Sequence, residues 1–182
     1  MVSTLYGDVS QTVFEQAKQI KLFVCDIDGV FSDGRIYLGN DGEELKAFHT
    51  KDGYGMKALV ASGVETAVIT GRQSRIVQTR MSALNVSTII QGEENKLPAL
   101  KKLMAEKSLA PEQVAYIGDD MPDHQCMQHV GLAIAVADAH PKILNDADFT
   151  TYTKGGFGAV REVTDLFMLA QGTLEYASGA SI

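Results

Sequence analysis

A doubly wound, Rossmann-like α/β fold with a parallel sheet is predicted by three features of the sequence. Beyond Gly63, short apolar runs alternate with segments of helical periodicity, the pattern of a parallel sheet covered on both faces. Polar and charged residues gather just after those apolar runs, where open α/β sheets place their ligands. No repeat, low-complexity tract or linker interrupts the pattern, and 182 residues suffice for a single domain with a substantial core.

Taken in order, residues 1–20 form a lead-in with one amphipathic helix. Asp8, with Gln11 three residues on, supplies the cap, and Val9, Val13, Ala17 and Ile20 the apolar stripe. The first strand covers 22–25. A β-hairpin follows, with strands at 35–38 and 44–48 around the turn Gly39-Asn40-Asp41-Gly42. A helix over 53–62 stops at Gly63, a residue suited to a left-handed C-cap. Strands are then predicted at 66–69, 88–90, 114–117, 132–136 and 149–151. Helices fall at 74–84, 97–107, 123–129 and 141–145, and a last one covers 159–170. The tail, 173–182, is polar and rich in small residues, and is expected to be mobile.

Composition excludes several classes of function. A net charge of -7 argues against nucleic acid or an anionic membrane surface as partner. The longest apolar run, 130–137, falls far short of the ~20 residues of a membrane span, and no signal peptide is recognised at the start. Two cysteines, one of them (Cys25) inside a predicted buried strand, argue for a reducing cytoplasm over a disulfide framework.

The chemistry starts at Asp26-Ile27-Asp28-Gly29, at the end of the first strand. In extended backbone, residues two apart point the same way, so Asp26 and Asp28 share one side while Ile27 anchors in the core. Later strands end in Thr70-Gly71-Arg72 and in Gly118-Asp119-Asp120, with Asp123 three residues on; Lys96 stands at a helix start. This set suits a phosphate monoester. A dianionic phosphate reaches a carboxylate nucleophile only when positive charge intervenes, and Mg²⁺ with oxygen ligands is the natural agent. Lys96 adds a fixed charge, and Thr70 hydrogen-bonds phosphoryl oxygens. Asp26 is then the nucleophile, Asp28 the proton donor and later the base, and Asp119 the further metal ligand.

On these residues the chain resembles the haloacid dehalogenase-like phosphatases: Asp26-x-Asp28-Gly29, Thr70, Lys96 and Gly118-Asp119-Asp120 match their four motifs in order. The resemblance implies Mg²⁺ held by the Asp26 carboxylate, the Asp28 backbone carbonyl and Asp119, with the first and fourth strands side by side. From about residue 20 onward it is similar to one family among them, the 3-deoxy-D-manno-octulosonate 8-phosphate phosphatases. The matching stretches include Gly42-Glu43-Glu44-Leu45-Lys46-Ala47-Phe48, Asp52-Gly53-Tyr54-Gly55 and Val136-Ala137-Asp138-Ala139-His140-Pro141. That resemblance implies release of phosphate from an eight-carbon keto-sugar acid of lipopolysaccharide. It also implies substrate contacts from Asp28, the loop His49, Thr50, Lys51, Asp52 and Gly53, and from Lys57, Gly71, Arg72, Arg80 and Lys96. Lys51 and Lys57 stand where arginine is usual, which keeps the charge but gives up the bidentate fork, and Phe157 replaces a frequent basic residue.

The gaps 29–70 and 71–96 leave no room for a cap domain, so the domain is capless with an inserted hairpin at 31–49. An open site needs a neighbouring subunit to exclude water. The resemblance agrees, implying a homotetramer whose hairpins join and whose tail reaches a neighbouring site. Three other functions compete: a phosphatase of a nine-carbon keto-sugar acid 9-phosphate, a phosphate-accepting receiver domain and a catalytically silent assembly module. Other sites are weaker: Phe31 breaks a calcium-loop pattern, Gly155-Gly156-Phe157-Gly158 lacks the Lys-Ser/Thr of a P-loop, and His124, Cys126 and His129 spread round a helix.

Overall fold

A computed structural model describes residues 1–174. It begins with a small antiparallel pair, β1 (Val2–Ser3) and β2 (Asp8–Val9), followed by α1 (Gln11–Gln19). The cap of α1 is Ser10, whose hydroxyl accepts from the Val13 N–H at 3.1 Å. Asp8 is not the cap, because β2 commits it to a pairing with Ser3. The expected stripe of Val9, Val13, Ala17 and Ile20 is buried.

β3 (Leu22–Cys25) follows, buried at all four positions, and then the hairpin strands β4 (Tyr37–Leu38) and β5 (Glu44–Leu45). Both hairpin strands are shorter than predicted. Helix α2 (Thr50–Ala61) begins earlier than the expected residue 53, because the His49 ring accepts from the Lys51 N–H at 3.2 Å and caps it there. It ends as predicted at Gly63, whose φ of 99° is the left-handed C′ conformation.

The rest alternates as expected: β6 (Glu65–Thr70), α3 (Arg75–Ala83), β7 (Thr88–Gln91) and α4 (Lys96–Glu106). A short 3-10 turn at Pro111–Gln113 leads to β8 (Val114–Gly118) and α5 (Met121–Met127). β9 (Leu132–Ala135), α6 (Pro141–Asp146), β10 (Phe149–Thr150) and α7 (Ala159–Ala170) complete the described chain.

The main sheet has six strands, all parallel, in the order β10-β9-β8-β3-β6-β7. The chain leaves β3 toward β6 on one side and returns to β8 on the other, so the switch point lies between β3 and β8. Cys25 pairs with Val68 of β6 and with Ile117 of β8, so the carboxyl ends of the three strands lie within two residues of one another. Residues that follow them in sequence therefore meet in space. Between β3 and β6 lie only the hairpin and α2, and between β6 and α4 only α3 and β7. Among the described residues there is no cap domain.

α2 and α7 cover one face of the sheet, and Phe167 of α7 meets Phe23 edge-to-face at 5.2 Å. A buried carboxylate joins the two helices: Asp52, only 1% exposed, accepts the Arg161 N–H at 2.8 Å through Oδ1. Its Oδ2 has no hydrogen-bond partner. Burial raises Asp52 from an ordinary 3.8 to about 7, against the hydrogen bond from Arg161 and the pull of Arg161 and Arg80. Since folded Asp52 holds its proton more tightly than unfolded, its contribution to stability falls as pH rises from about 4 to about 7. Asp52→Asn has no such dependence. Measured by urea unfolding, the variant should gain on the wild type between pH 5 and pH 8 by on the order of 2 kcal/mol, at about 1.4 kcal/mol per pH unit discounted for local relaxation. A difference that stays flat across this range would refute the burial effect.

Candidate active site

Asp26 directly follows β3, and its N–H extends the ladder by donating to the Ile117 carbonyl at 3.1 Å. The backbone then turns sharply: the Ile27 carbonyl accepts from Val30, Phe31 and Ser32 at 3.2, 2.9 and 3.1 Å. Ile27 is fully buried, while Asp26 and Asp28 face one cavity, as the i, i+2 spacing predicts. Gly29 has φ 94°, and a Cβ built on it would lie 2.0 Å from Asp119 Oδ2. Glycine is thus required twice over, for the turn and for the close approach of the second acidic cluster.

The cavity, about 530 Å³, is lined by residues from several strand ends. Six acids (Asp26, Asp28, Glu94, Asp119, Asp120, Asp123) face it, against only two bases, Arg72 and Lys96. Lys96 opens α4 and is 4% exposed; its ammonium donates to Asp26 Oδ1 at 2.7 Å and to Asp123 Oδ1 at 2.8 Å. Asp123 is saturated: Oδ1 also accepts from the Tyr116 hydroxyl at 2.8 Å, and Oδ2 accepts the N–H groups of Asp119 and Asp120 at 3.1 and 3.4 Å. It acts as the clamp for Lys96 and for the turn after β8.

The charges strain against one another. Burial, with help from Asp123, lifts Asp26 to about 7 even though Lys96 pulls it down. Burial and the neighbouring Asp26 lift Asp119 to about 8. Burial disfavours the charged form of Lys96, but Asp26 and Asp123 outweigh that and hold its proton above the ordinary range. Carboxylate oxygens of Asp26, Asp119 and Asp123 lie within 4.8 Å of one another, the one such grouping among the described residues. Hard oxygen donors with an excess of negative charge fit a divalent cation such as Mg²⁺. Because Asp123 already accepts four hydrogen bonds, Asp26 and Asp119 are the carboxylates left to bind it.

The remaining expected residues divide into two groups. Thr70, buried at the end of β6, lines the cavity with Gly71 and Arg72. His49, Thr50, Lys51, Asp52, Gly53, Lys57 and Arg80 do not. His49 caps α2, Thr50 and Lys51 are exposed on its first turn, Asp52 turns to α7, and Lys57 lies half-buried on the same helix. Arg80 lies over Gly53 and lines a separate cavity of about 500 Å³ with Phe48 and Arg75. Among residues given no role in advance, Tyr116 and Asp123 build the Lys96 clamp, and Lys46 pairs with Asp28. The Asp119-x-x-x-Asp123 spacing carried a signal for Asp123; nothing local marked Tyr116. His124, Cys126 and His129, which the sequence spreads round a helix, are not brought together as metal ligands: His124 pairs with Asp146 at 2.6 Å and Cys126 is buried.

A family model described as haloacid dehalogenase-like hydrolase matches residues 82–162. The chain is 51% identical, over its whole length and 97% of the relative's, to the 3-deoxy-D-manno-octulosonate 8-phosphate phosphatase of Yersinia pestis. The chain belongs to this family of haloacid dehalogenase-like hydrolases. A crystal structure of the Yersinia pestis phosphatase superposes with a TM-score of 0.97, covering 100% of this chain and 98% of that one. The family's phosphatase from Moraxella catarrhalis, crystallised with a magnesium ion, a phosphate ion and a KDO molecule, is 40% identical. It superposes with a TM-score of 0.90 over 92% of this chain and 97% of that one. Membership removes the receiver domain as a reading.

Because Gly29 gives Asp119 its room, Gly29→Ala should weaken Mg²⁺ binding at least about tenfold, the scale at which displaced support residues act on metal sites. Calorimetric titration of the folded variant reads this out, and unchanged affinity would sink the packing argument.

Proposed function

We propose that the chain releases phosphate from 3-deoxy-D-manno-octulosonate 8-phosphate through an aspartyl-phosphate on Asp26, a step of lipopolysaccharide biosynthesis. The observation that carries the mechanism is the meeting of Asp26, Asp119 and Lys96 at one cavity. A phosphate dianion beside a single carboxylate meets about 4 kcal/mol of repulsion per charge pair at 4 Å in an effective dielectric of 20. Lys96 offsets part of this and orients Asp26 Oδ1. Mg²⁺, held by Asp26 and Asp119 with the Asp28 carbonyl, supplies the remaining positive charge and polarises the phosphoryl group.

Asp26 attacks phosphorus and the bond to the sugar oxygen breaks. Asp28 gives its proton to the departing alkoxide, which leaves as the alcohol. Asp28, now a base, takes a proton from water as that water attacks the phosphoaspartate, freeing inorganic phosphate and Asp26. Thr70 and the backbone at Gly71 bind phosphoryl oxygens.

Sugar-acid recognition combines Arg72 with His49, Thr50, Lys51, Lys57 and Arg80, while Asp52, buried against α7, and Gly53, buried beneath Arg80, support that loop from behind. The second group stands outside the Asp26 cavity of its own chain, which supports delivery by a neighbouring subunit. The hairpin favours assembly too: Tyr37, Leu38 and Leu45 are 48%, 70% and 64% exposed, an apolar surface that a second copy would cover. Residues 1–182 thus act as one capless domain in a homotetramer, with 31–49 as the assembly insertion. Residues 175–182, the greater part of the tail expected to reach a neighbouring site, lie outside the described residues. Free, buried Cys25 and Cys126 support a cytoplasmic location. No described helix is long and apolar enough to cross a membrane.

Asp26→Asn should abolish nearly all Mg²⁺-dependent phosphate release, and the wild type should prefer the eight-carbon over the nine-carbon 9-phosphate substrate. Full turnover in the variant, or none in the wild type on either, would overturn the reading. Leu45→Asp should lower the mass in light scattering from four chains to fewer; an unaltered mass would remove the hairpin from the interface.

A further inference from the structure

Glu44, on the second hairpin strand, and Lys46, the residue just past its end, both turn toward Asp28, while Leu45 between them faces the other way. Leu45 is 64% exposed, whereas the Lys46 side chain has 0% exposure. The Lys46 ammonium donates to Asp28 Oδ1 and lies 3.3 Å from Glu44 Oε1. Glu44 Oε2 in turn accepts from the Arg72 guanidinium at 2.9 Å. A chain of paired charges, Asp28–Lys46–Glu44–Arg72, thus links the acid/base to the end of β6. Lys46 is not among the residues lining the cavity, so its route to the reaction is through Asp28.

Such a partner answers a physical need. Asp28 sits at a turn with one flank open to the cavity, and its side chain is 19% exposed. An acid that samples several rotamers delivers its proton poorly, and a misplacement of about 1 Å costs on the order of 10²-fold in rate. Ordering a long lysine side chain has an entropic cost, so burying that side chain against two carboxylates requires a return in binding or placement.

We infer that Lys46 is a positioning residue for the hydrolysis: by holding one oxygen of Asp28 it leaves the other aimed at the bridging oxygen of the ester, and Glu44 holds Lys46 in place. The hairpin whose outer side carries Leu45 thereby also sets the acid. This inference rests on the role given to Asp28 under the proposed function.

The test uses leaving groups. Aryl phosphates of similar size, from p-nitrophenyl to p-methoxyphenyl, differ in their need for a proton on departure; the eight-carbon substrate, an alkyl phosphate, needs it most. The readout is kcat/KM with Mg²⁺, which covers events only up to departure of the leaving group. Lys46→Met should lower p-nitrophenyl phosphate turnover by less than about threefold and the eight-carbon substrate by at least about tenfold, within the range of general-acid effects. The dependence on leaving-group acidity should steepen to match, and Lys46→Arg should restore the wild-type pattern. Equal losses on all substrates, or none, would overturn the inference. If Lys46→Met does not fold, Glu44→Gln, which loosens Lys46 without removing it, must show a smaller skew of the same sign, and an unskewed profile is equally fatal. Asp28→Asn separates the two levels. A skew there without one at Lys46 rejects this inference alone, and no skew at Asp28 in an active enzyme rejects the acid/base assignment beneath it.

Discussion

The Lys96 ammonium, held between Asp26 and Asp123, is the interaction on which the rest of the site depends. A buried cation alone carries a desolvation penalty of several kcal/mol, and two buried carboxylates without it fare no better. Each makes the others tolerable. The arrangement leaves an excess of negative charge, visible in the raised proton affinity of Asp26 and Asp119. That residual imbalance gives a divalent cation, and then a phosphate, a reason to bind. A fully neutralised cluster would be more stable and would attract neither.

The sheet makes this cluster possible. β3 and β8 are neighbours in register, so Asp26 and Asp119, far apart in the chain, arrive at the same height. Gly29 removes the Cβ that would otherwise hold Asp119 away. Asp123 then does at α5 what a loop cannot: it fixes two backbone N–H groups, a tyrosine hydroxyl and an ammonium from one rigid helix start. The parallel sheet supplies the platform, and the helix starts supply the directions.

The hairpin adds a second layer. Glu44 and, just past the strand, Lys46 turn toward the site while Leu45 stays exposed, so one hairpin bears both an exposed apolar residue and a contact to Asp28.

Much of this was legible in the chain itself. The strand-and-helix order, the left-handed stop at Gly63 and the shared side of Asp26 and Asp28 follow from local rules of period and backbone conformation, which act over a few residues. The cap at Ser10 was missed because Asp8 is drawn into a strand pairing with Ser3, a competition that local rules do not weigh. Local pattern was enough for the fold class and for placing Asp26, Asp28, Thr70 and Asp119 at strand ends and Lys96 at a helix start, because period and turn chemistry act over a few residues. Which groups touch was settled by packing across the sheet. Asp123 became the clamp of Lys96, Asp52 turned to α7, Lys46 found Asp28, and Arg80 went to another cavity. Contacts between residues distant along the chain depend on register and packing across the sheet, and no short-range pattern encodes them.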